Sequence, residues 1–209
     1  GVLKQVADFG VEVCHGVEPN REDAEFIQKI CPQAKIFNST FEDFDLEPKY
    51  YDMVTSFEVL EHVVSPGRIL KKTAETIKKN GFINIEVPNH RDALLSCYKN
   101  INYEKFFYHK AHIHYFTKES LSLLLDLCGF DGVVSSFLMY PFSNHVFWHQ
   151  NHGPQPSAQI ALSTPCPTSG ESSTDTAINE FFLQVEKGYR KLINRHMVGD
   201  CLVFRGRKR

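Results

Sequence analysis

Carboxylates and imidazoles gather at a few points of this 209-residue chain. Glu18 directly follows the β-like run 11–17. A carboxylate at the carboxyl end of a strand can accept hydrogen bonds from the two vicinal hydroxyls of a ribose. A second concentration is Ser56-Phe57-Glu58-Val59-Leu60-Glu61-His62, which runs on from the end of the β-like segment 51–57. Of the 10 histidines, His109, His112 and His114 form an HxxHxH array, and His145, His149 and His152 form HxxxHxxH. Imidazoles at such spacings can hold zinc or another transition metal. No cysteine or carboxylate completes a recognised metal motif with them, so no bound metal is expected. The aromatic-rich stretches 102–108 and 140–148 flank the histidines. They either line an acceptor pocket or form core beneath a long loop.

The elements that must position these groups can be read from periodicity. Strands are expected at 11–17, 34–37, 51–57 and 82–87. Asn20 can cap a helix whose apolar stripe is Phe26, Ile27 and Ile30, stopped by Cys31-Pro32. A second helix spans 66–79, with Ile69, Leu70, Thr73, Ala74 and Ile77 on one face and Asn80-Gly81 at its left-handed end. Strand–helix–strand alternation of this kind implies a parallel, doubly wound α/β sheet, with chemistry at the carboxyl ends of the strands. Farther on, Thr117 caps a helix to Cys128, a β-like run occupies 131–140, and a helix covers about 176–195. That last helix carries Phe181, Phe182, Val185, Tyr189 and Leu192 as its apolar stripe. A final strand is expected at 200–204. Residues 151–177, dense in Pro, Ser, Thr and Gly, read as a flexible loop within an insertion at 140–198.

Composition removes several classes of protein. With 42% hydrophobic and 23% charged residues the chain is globular. A net charge of -2 lacks the basic surplus of a nucleic-acid binder. No apolar run reaches the ~18–20 residues of a membrane helix. Six cysteines, none in a CxxC pair, suit reduced thiols in the cytoplasm.

The segment from Tyr51 to Val63, with Ser65-Pro66, Leu70 and the Gly81-to-Pro88 strand, resembles the region around the fourth strand of class I S-adenosylmethionine-dependent methyltransferases. Gly16-Val17-Glu18-Pro19 is similar to that family's second strand with its acidic ribose ligand. His112-Ile113-His114-Tyr115-Phe116-Thr117 through Phe130 is similar to its late helix and sixth strand. The resemblance covers roughly 1–135 and again 200–204. It implies a Rossmann-like methyltransferase sheet, mostly parallel with an antiparallel last strand, forming one domain over residues 1–209.

The resemblance also implies roles. Glu18 and Pro19 would meet the ribose, and Thr40 and Phe41 would border the adenine. Ser56 and Phe57 would stand by the methionine portion. His62 would either hydrogen-bond within the site or only orient Glu58–Glu61. His114 and Tyr115 would lie near the acceptor, where a neutral imidazole can take a proton, or their loop would only pack a lid. The family's Gly-x-Gly-x-Gly loop is not found here. Gly1 would be its last glycine, with the first strand and most of the loop upstream, so the chain is expected to be truncated at its amino end. The expected acceptor is a small molecule or a sugar such as a glycan precursor, with no nucleic acid and no membrane as partner. The rival readings are a remnant of the fold that binds no cofactor, a nicotinamide-dependent oxidoreductase and a metal-dependent hydrolase.

Overall fold

In the computed structural model, which describes residues 2–45, 47–163 and 167–209, the chain forms two compact units, 1–48 and 49–209. In the first, α1 (Val2–Asp8), β1 (His15–Val17), α2 (Arg21–Ile30) and β2 (Lys35–Phe37) follow one another. Asn20 caps α2, its side chain accepting from the backbone N–H of Glu22 and Asp23. That satisfies donors which the first turn of a helix leaves unpaired. Strands β1 and β2 are parallel, with Val17 opposite Phe37. The first strand is shorter than expected, beginning at His15 rather than residue 11. Ala7, Cys14, Cys31 and Ala34 form the unit's small core, with Leu3 and Ile36 against it. The expected stripe of α2 is only partly inward, since Phe26 and Ile30 are exposed.

The second unit holds β3 (Tyr51–Phe57), α3 (Pro66–Thr76), β4 (Ile77–Pro88), α4 (Ala93–Ser96), α5 (Ile101–Phe107), α6 (Lys118–Leu127), β5 (Phe130–Phe137), α7 (Phe142–Asn151), α8 (Ala158–Leu162), α9 (Ser173–Arg195) and β6 (Cys201–Lys208). Its sheet has the order β3-β4-β6-β5. Strands β3 and β4 are parallel, and β6 runs antiparallel to both β4 and β5. The last strand of the chain therefore inserts between earlier ones, and Cys201 to Phe204 are all buried. The mixed α/β class and the antiparallel last strand are as the sequence implies.

Two helices differ from expectation. Helix α3 stops at Thr76, and Ile77 is already extended. The left-handed residue is Asn80, at φ 64°, and it lies inside β4. Gly81 is needed for closeness instead: a Cβ there would lie 2.6 Å from the Ile77 side chain. On α9 the predicted stripe is largely outward, with Phe181 61% and Leu192 53% exposed. The helix is seated by Ile193, packed with Ala93 and Leu138, and by polar bonds. Glu186 accepts from the backbone of Phe142 and from Arg190, and Arg190 also donates to the carbonyl of Leu138. Within 151–177 the chain forms α8 and enters α9 at Ser173, capped by Ser172. Among the described cysteines, 14, 31, 97, 128 and 201 are unpaired thiols, while Cys166 lies outside the described residues. No helix of the described residues is long and apolar enough to cross a membrane.

Candidate active site

In the first unit the candidate groups stand at the carboxyl ends of two parallel strands. The backbone N–H of Glu18 donates to the carbonyl of Phe37 at 3.0 Å, continuing the ladder one step past β1. The Glu18 carboxylate accepts from the backbone N–H of Asn20 at 2.9 Å, which orients it at the start of α2. Asn38 ties the two strand ends together, donating to the carbonyls of Glu18 at 3.0 Å and Pro19 at 2.9 Å. Thr40 donates to Asp43 at 2.7 Å and so closes the turn that carries Phe41. The structure thus brings Glu18, Pro19, Thr40 and Phe41 to one edge. Sequence reading missed Asn38; its signal was an Asn in the turn directly after a strand. Gly1 lies outside the described residues.

In the second unit, Ser56 and Phe57 end β3 opposite Ile85 and Glu86. Glu58 then turns the chain with φ 53°, a left-handed conformation that costs a non-glycine residue energy and is held by surrounding bonds. Its backbone N–H donates to the carbonyl of Glu86 at 3.0 Å. Burial, then the neighbouring Glu61 charge, pushes the Glu58 carboxyl up to about 8. Leu60 and Glu61 follow, both buried. The carbonyl of Glu61 accepts from the backbone N–H of Ile113 at 2.9 Å and of His114 at 3.1 Å. Both carboxylate oxygens of Glu61 are buried without a hydrogen-bond partner, and burial raises this carboxyl to about 7.

His62 faces the loop that carries Ile113 and His114. Its Nδ1 lies 2.8 Å from the carbonyl oxygen of Ala111, so Nδ1 carries the proton and Nε2 presents a lone pair. The ring of His62 meets that of His112 edge-on at 4.7 Å. Burial, with His109 and His62 alongside, lowers His112 to about 4. His112 Nδ1 and His114 Nε2 are buried and unpartnered. Tyr115 packs on Tyr108 at 4.9 Å and donates to the carbonyl of His109 at 3.5 Å. The predicted His62, His114 and Tyr115 are thus gathered in one cluster of the second unit.

A cavity of ≈ 170 Å³ opens among residues that follow β4 and β5 and precede β6. Tyr103, Phe106, Tyr140 and Trp148 give it aromatic walls, while Tyr103, Phe107 and Trp148 also form a core cluster with Leu94, so the stretches do both. Asp92, Asp200, Asn144 and His145 supply its polar groups. Asp92 accepts from Tyr103 Oη at 2.6 Å and from the Leu94 N–H at 2.7 Å, and burial raises it to about 7. Asp200 accepts from the N–H groups of Met139 at 2.6 Å and Tyr140 at 2.9 Å, and burial raises it to about 6. His145, lowered by burial to about 4, shares a hydrogen bond with Tyr189 Oη at 2.6 Å. None of His62, His114 and Tyr115 lines this cavity. Sequence reading did not identify Asp92 or Asp200, whose roles come from burial.

The family model described as a methyltransferase domain matches residues 1–135. No curated protein matches the chain. Among solved structures, an S-adenosylmethionine-dependent methyltransferase of Archaeoglobus fulgidus superposes with TM-score 0.61 at 18% identity, covering 99% of this chain and 80% of that one. A methyltransferase of Thermotoga maritima described as a possible histamine N-methyltransferase gives 0.57 at 22%, covering 93% and 72%. One from Mesorhizobium loti gives 0.57 at 11%, covering 98% and 84%. At these identities the structures attest the fold, and the family match over more than half the chain attests the lineage. The chain belongs to the methyltransferase domain family and is an S-adenosylmethionine-dependent methyltransferase.

Proposed function

We propose that this methyltransferase acts on a small molecule or a sugar such as a glycan precursor. The observation that carries the reading is the ≈ 170 Å³ cavity of the second unit. An apolar cavity of about 150 Å³ takes up a single benzene, so this one suits one ring or a short chain. Its aromatic faces match the flat side of a ring. Asp92, Asp200 and the buried, unpartnered Oδ1 of Asn144 offer acceptors to hydroxyl or amino groups. On this reading the segment 140–198 is an insertion that builds the acceptor wall through Tyr140, His145 and Trp148. A net charge of -2 favours such an acceptor over nucleic acid, and free thiols favour a reducing compartment such as the cytoplasm.

S-adenosylmethionine supplies a methyl group already activated on a sulfonium sulfur. Its nucleoside fits the first unit's strand edge, where the Glu18 carboxylate is oriented by Asn20 and half-exposed to accept from ribose hydroxyls. Pro19, Thr40 and Phe41 border the nucleoside on this reading. The protein's remaining work is positioning and exclusion of water. A base is needed only where the acceptor must lose a proton; His114 Nε2, buried and unpartnered, is the candidate, though it lies outside the cavity lining and serves only an acceptor that extends to its loop. Tyr115 and His62 hold the loop that carries His114.

The test is transfer of labelled methyl from S-adenosylmethionine to panels of hydroxylated or amino small molecules, nucleotide sugars, protein and RNA. Label on a small molecule or sugar supports the reading. Label only on protein or RNA overturns the acceptor class while leaving the activity intact.

A further inference from the structure

We propose that Glu61, His62 and His112 bind one divalent first-row transition-metal ion. The sequence reading expected no metal, because neither histidine array carries a carboxylate at ligand spacing. The fold supplies one from elsewhere. The backbone bonds from Ile113 and His114 to the carbonyl of Glu61 lay the histidine loop across Glu61-His62. That places one donor atom from each of Glu61, His62 and His112 within 4.8 Å of one another. Tetrahedral donors each about 2.1 Å from one ion stand about 3.4 Å apart, so each donor atom must move inward by up to roughly an ångström to complete the coordination.

Three further observations point to a cation. First, the Glu61 side chain is 1% exposed, and neither oxygen has a hydrogen-bond partner. Among the described residues it has no Lys or Arg ion pair; the nearby nitrogen is His62 Nε2, 3.6 Å from Oε1. A buried carboxylate is costly to ionise unless it is paired, and a bound cation would pair it. Second, His62 is prepared as a ligand. Its Nδ1–H donates to the carbonyl of Ala111 at 2.8 Å, which in the neutral ring leaves Nε2, 3.6 Å from Glu61 Oε1, as the nitrogen free to ligate. Histidines that bind metals commonly donate their other ring N–H in this way. Third, Nδ1 of His112 is buried with no partner.

Two imidazoles and one carboxylate suit Zn²⁺, Fe²⁺, Mn²⁺ or Co²⁺, with positions left for water or for an acceptor oxygen or nitrogen. The assignment stands apart from the acceptor reading, because binding can be measured without turnover.

The test uses the full chain after chelator treatment, titrated with Zn²⁺, Mn²⁺ and Co²⁺ by calorimetry, with Co²⁺ followed by its visible absorption. The expected result is about one ion per chain. His62→Ala, His112→Ala and Glu61→Gln should each weaken binding at least tenfold, with the fold checked by circular dichroism. The double variant His149→Ala, His152→Ala should bind like the parent. No binding, or binding that survives the three site variants, overturns the proposal. His62 is exposed, so its variant tests the site without disturbing core. Should a buried variant fail to fold, imidazole nitrogen shifts of the unmodified protein on adding Zn²⁺ decide the matter. Shifts at His62 and His112 support the site, and shifts elsewhere or none refute it.

Discussion

The hydroxyl of Tyr103 donates to Oδ2 of Asp92 at 2.6 Å inside the cavity proposed for the acceptor. Asp92 is fully buried, and the N–H of Leu94 holds its other oxygen at 2.7 Å. The pair couples helix α5 to the turn that opens α4. Tyr103→Phe keeps the ring, with its edge-on contact to Trp148, and removes only the donor. A buried acceptor left unsatisfied costs about 1–3 kcal/mol. Urea unfolding should show a loss of that size. An unchanged midpoint would mean that Asp92 does not depend on this bond.

Stability should depend on pH in a direction set by the buried acids. Burial, the leading cause in each case, raises Glu58 to about 8, Glu61 and Asp92 to about 7, and Asp200 to about 6. The folded chain therefore holds these protons more tightly than the unfolded chain. Their contribution to stability is fully present below the ordinary carboxyl values and is lost as pH rises through the folded ones. His112 and His145 act oppositely, because burial lowers both to about 4. Their contribution is present above about 6.5 and is lost as pH falls toward 4. Between about pH 7 and 8 the contribution of the raised acids is the one being lost, so metal-free protein should lose stability as pH rises across that window. Glu58→Gln should flatten the slope. Denaturation midpoints at half-unit steps measure both, and a slope of opposite sign would reject the buried-acid account.

The pairing of β5 with β6 depends on two glycines facing each other, Gly132 and Gly206. A Cβ on Gly132 would lie 2.5 Å from the Gly206 Cα and press on the carbonyl of Arg205. The Phe204 ring covers the same spot. Gly132→Ala must therefore spread the strands, at a cost of about 1–3 kcal/mol. A lower melting temperature by calorimetry is expected, and a variant as stable as the parent would contradict the close packing.

What could be read from the sequence was local. Asn20 and Thr117 mark helix starts by side-chain chemistry alone, and both cap as expected. Glu18 and the Phe57–His62 segment were visible because they sit beside strand ends. Asp200 was not, because its meaning depends on Met139 and Tyr140, 61 and 60 residues away. The border of α3 and β4 was misplaced because Asn80-Gly81 has the composition of a helix end, while pairing with β3 extends the strand back to Ile77. The outward stripe of α9 shows the same limit. Helical spacing identifies an apolar face but not whether another element meets it.

Glu18→Gln should weaken S-adenosylmethionine binding about tenfold or more, the worth of a hydrogen bond to a charged group. The amide keeps an oxygen for the Asn20 N–H, so α2 should stay capped. Calorimetric titration against the parent, with a melting curve as control for folding, measures the effect. Equal affinity would remove Glu18 from the cofactor site.

His114→Ala separates a proton-accepting role from a packing role. Nε2 of His114 is buried without a partner, so no hydrogen bond is lost there, while the backbone bond to the Glu61 carbonyl remains. If His114 takes a proton from a hydroxyl acceptor, kcat should fall about 10²-fold or more while cofactor affinity stays within about twofold. Added imidazole, which can enter the space vacated by the side chain, should restore part of the rate. A residue that only packs the loop would instead change stability and KM, with no rescue. Steady-state kinetics with and without imidazole, on an acceptor identified by the labelling panel, distinguish the two.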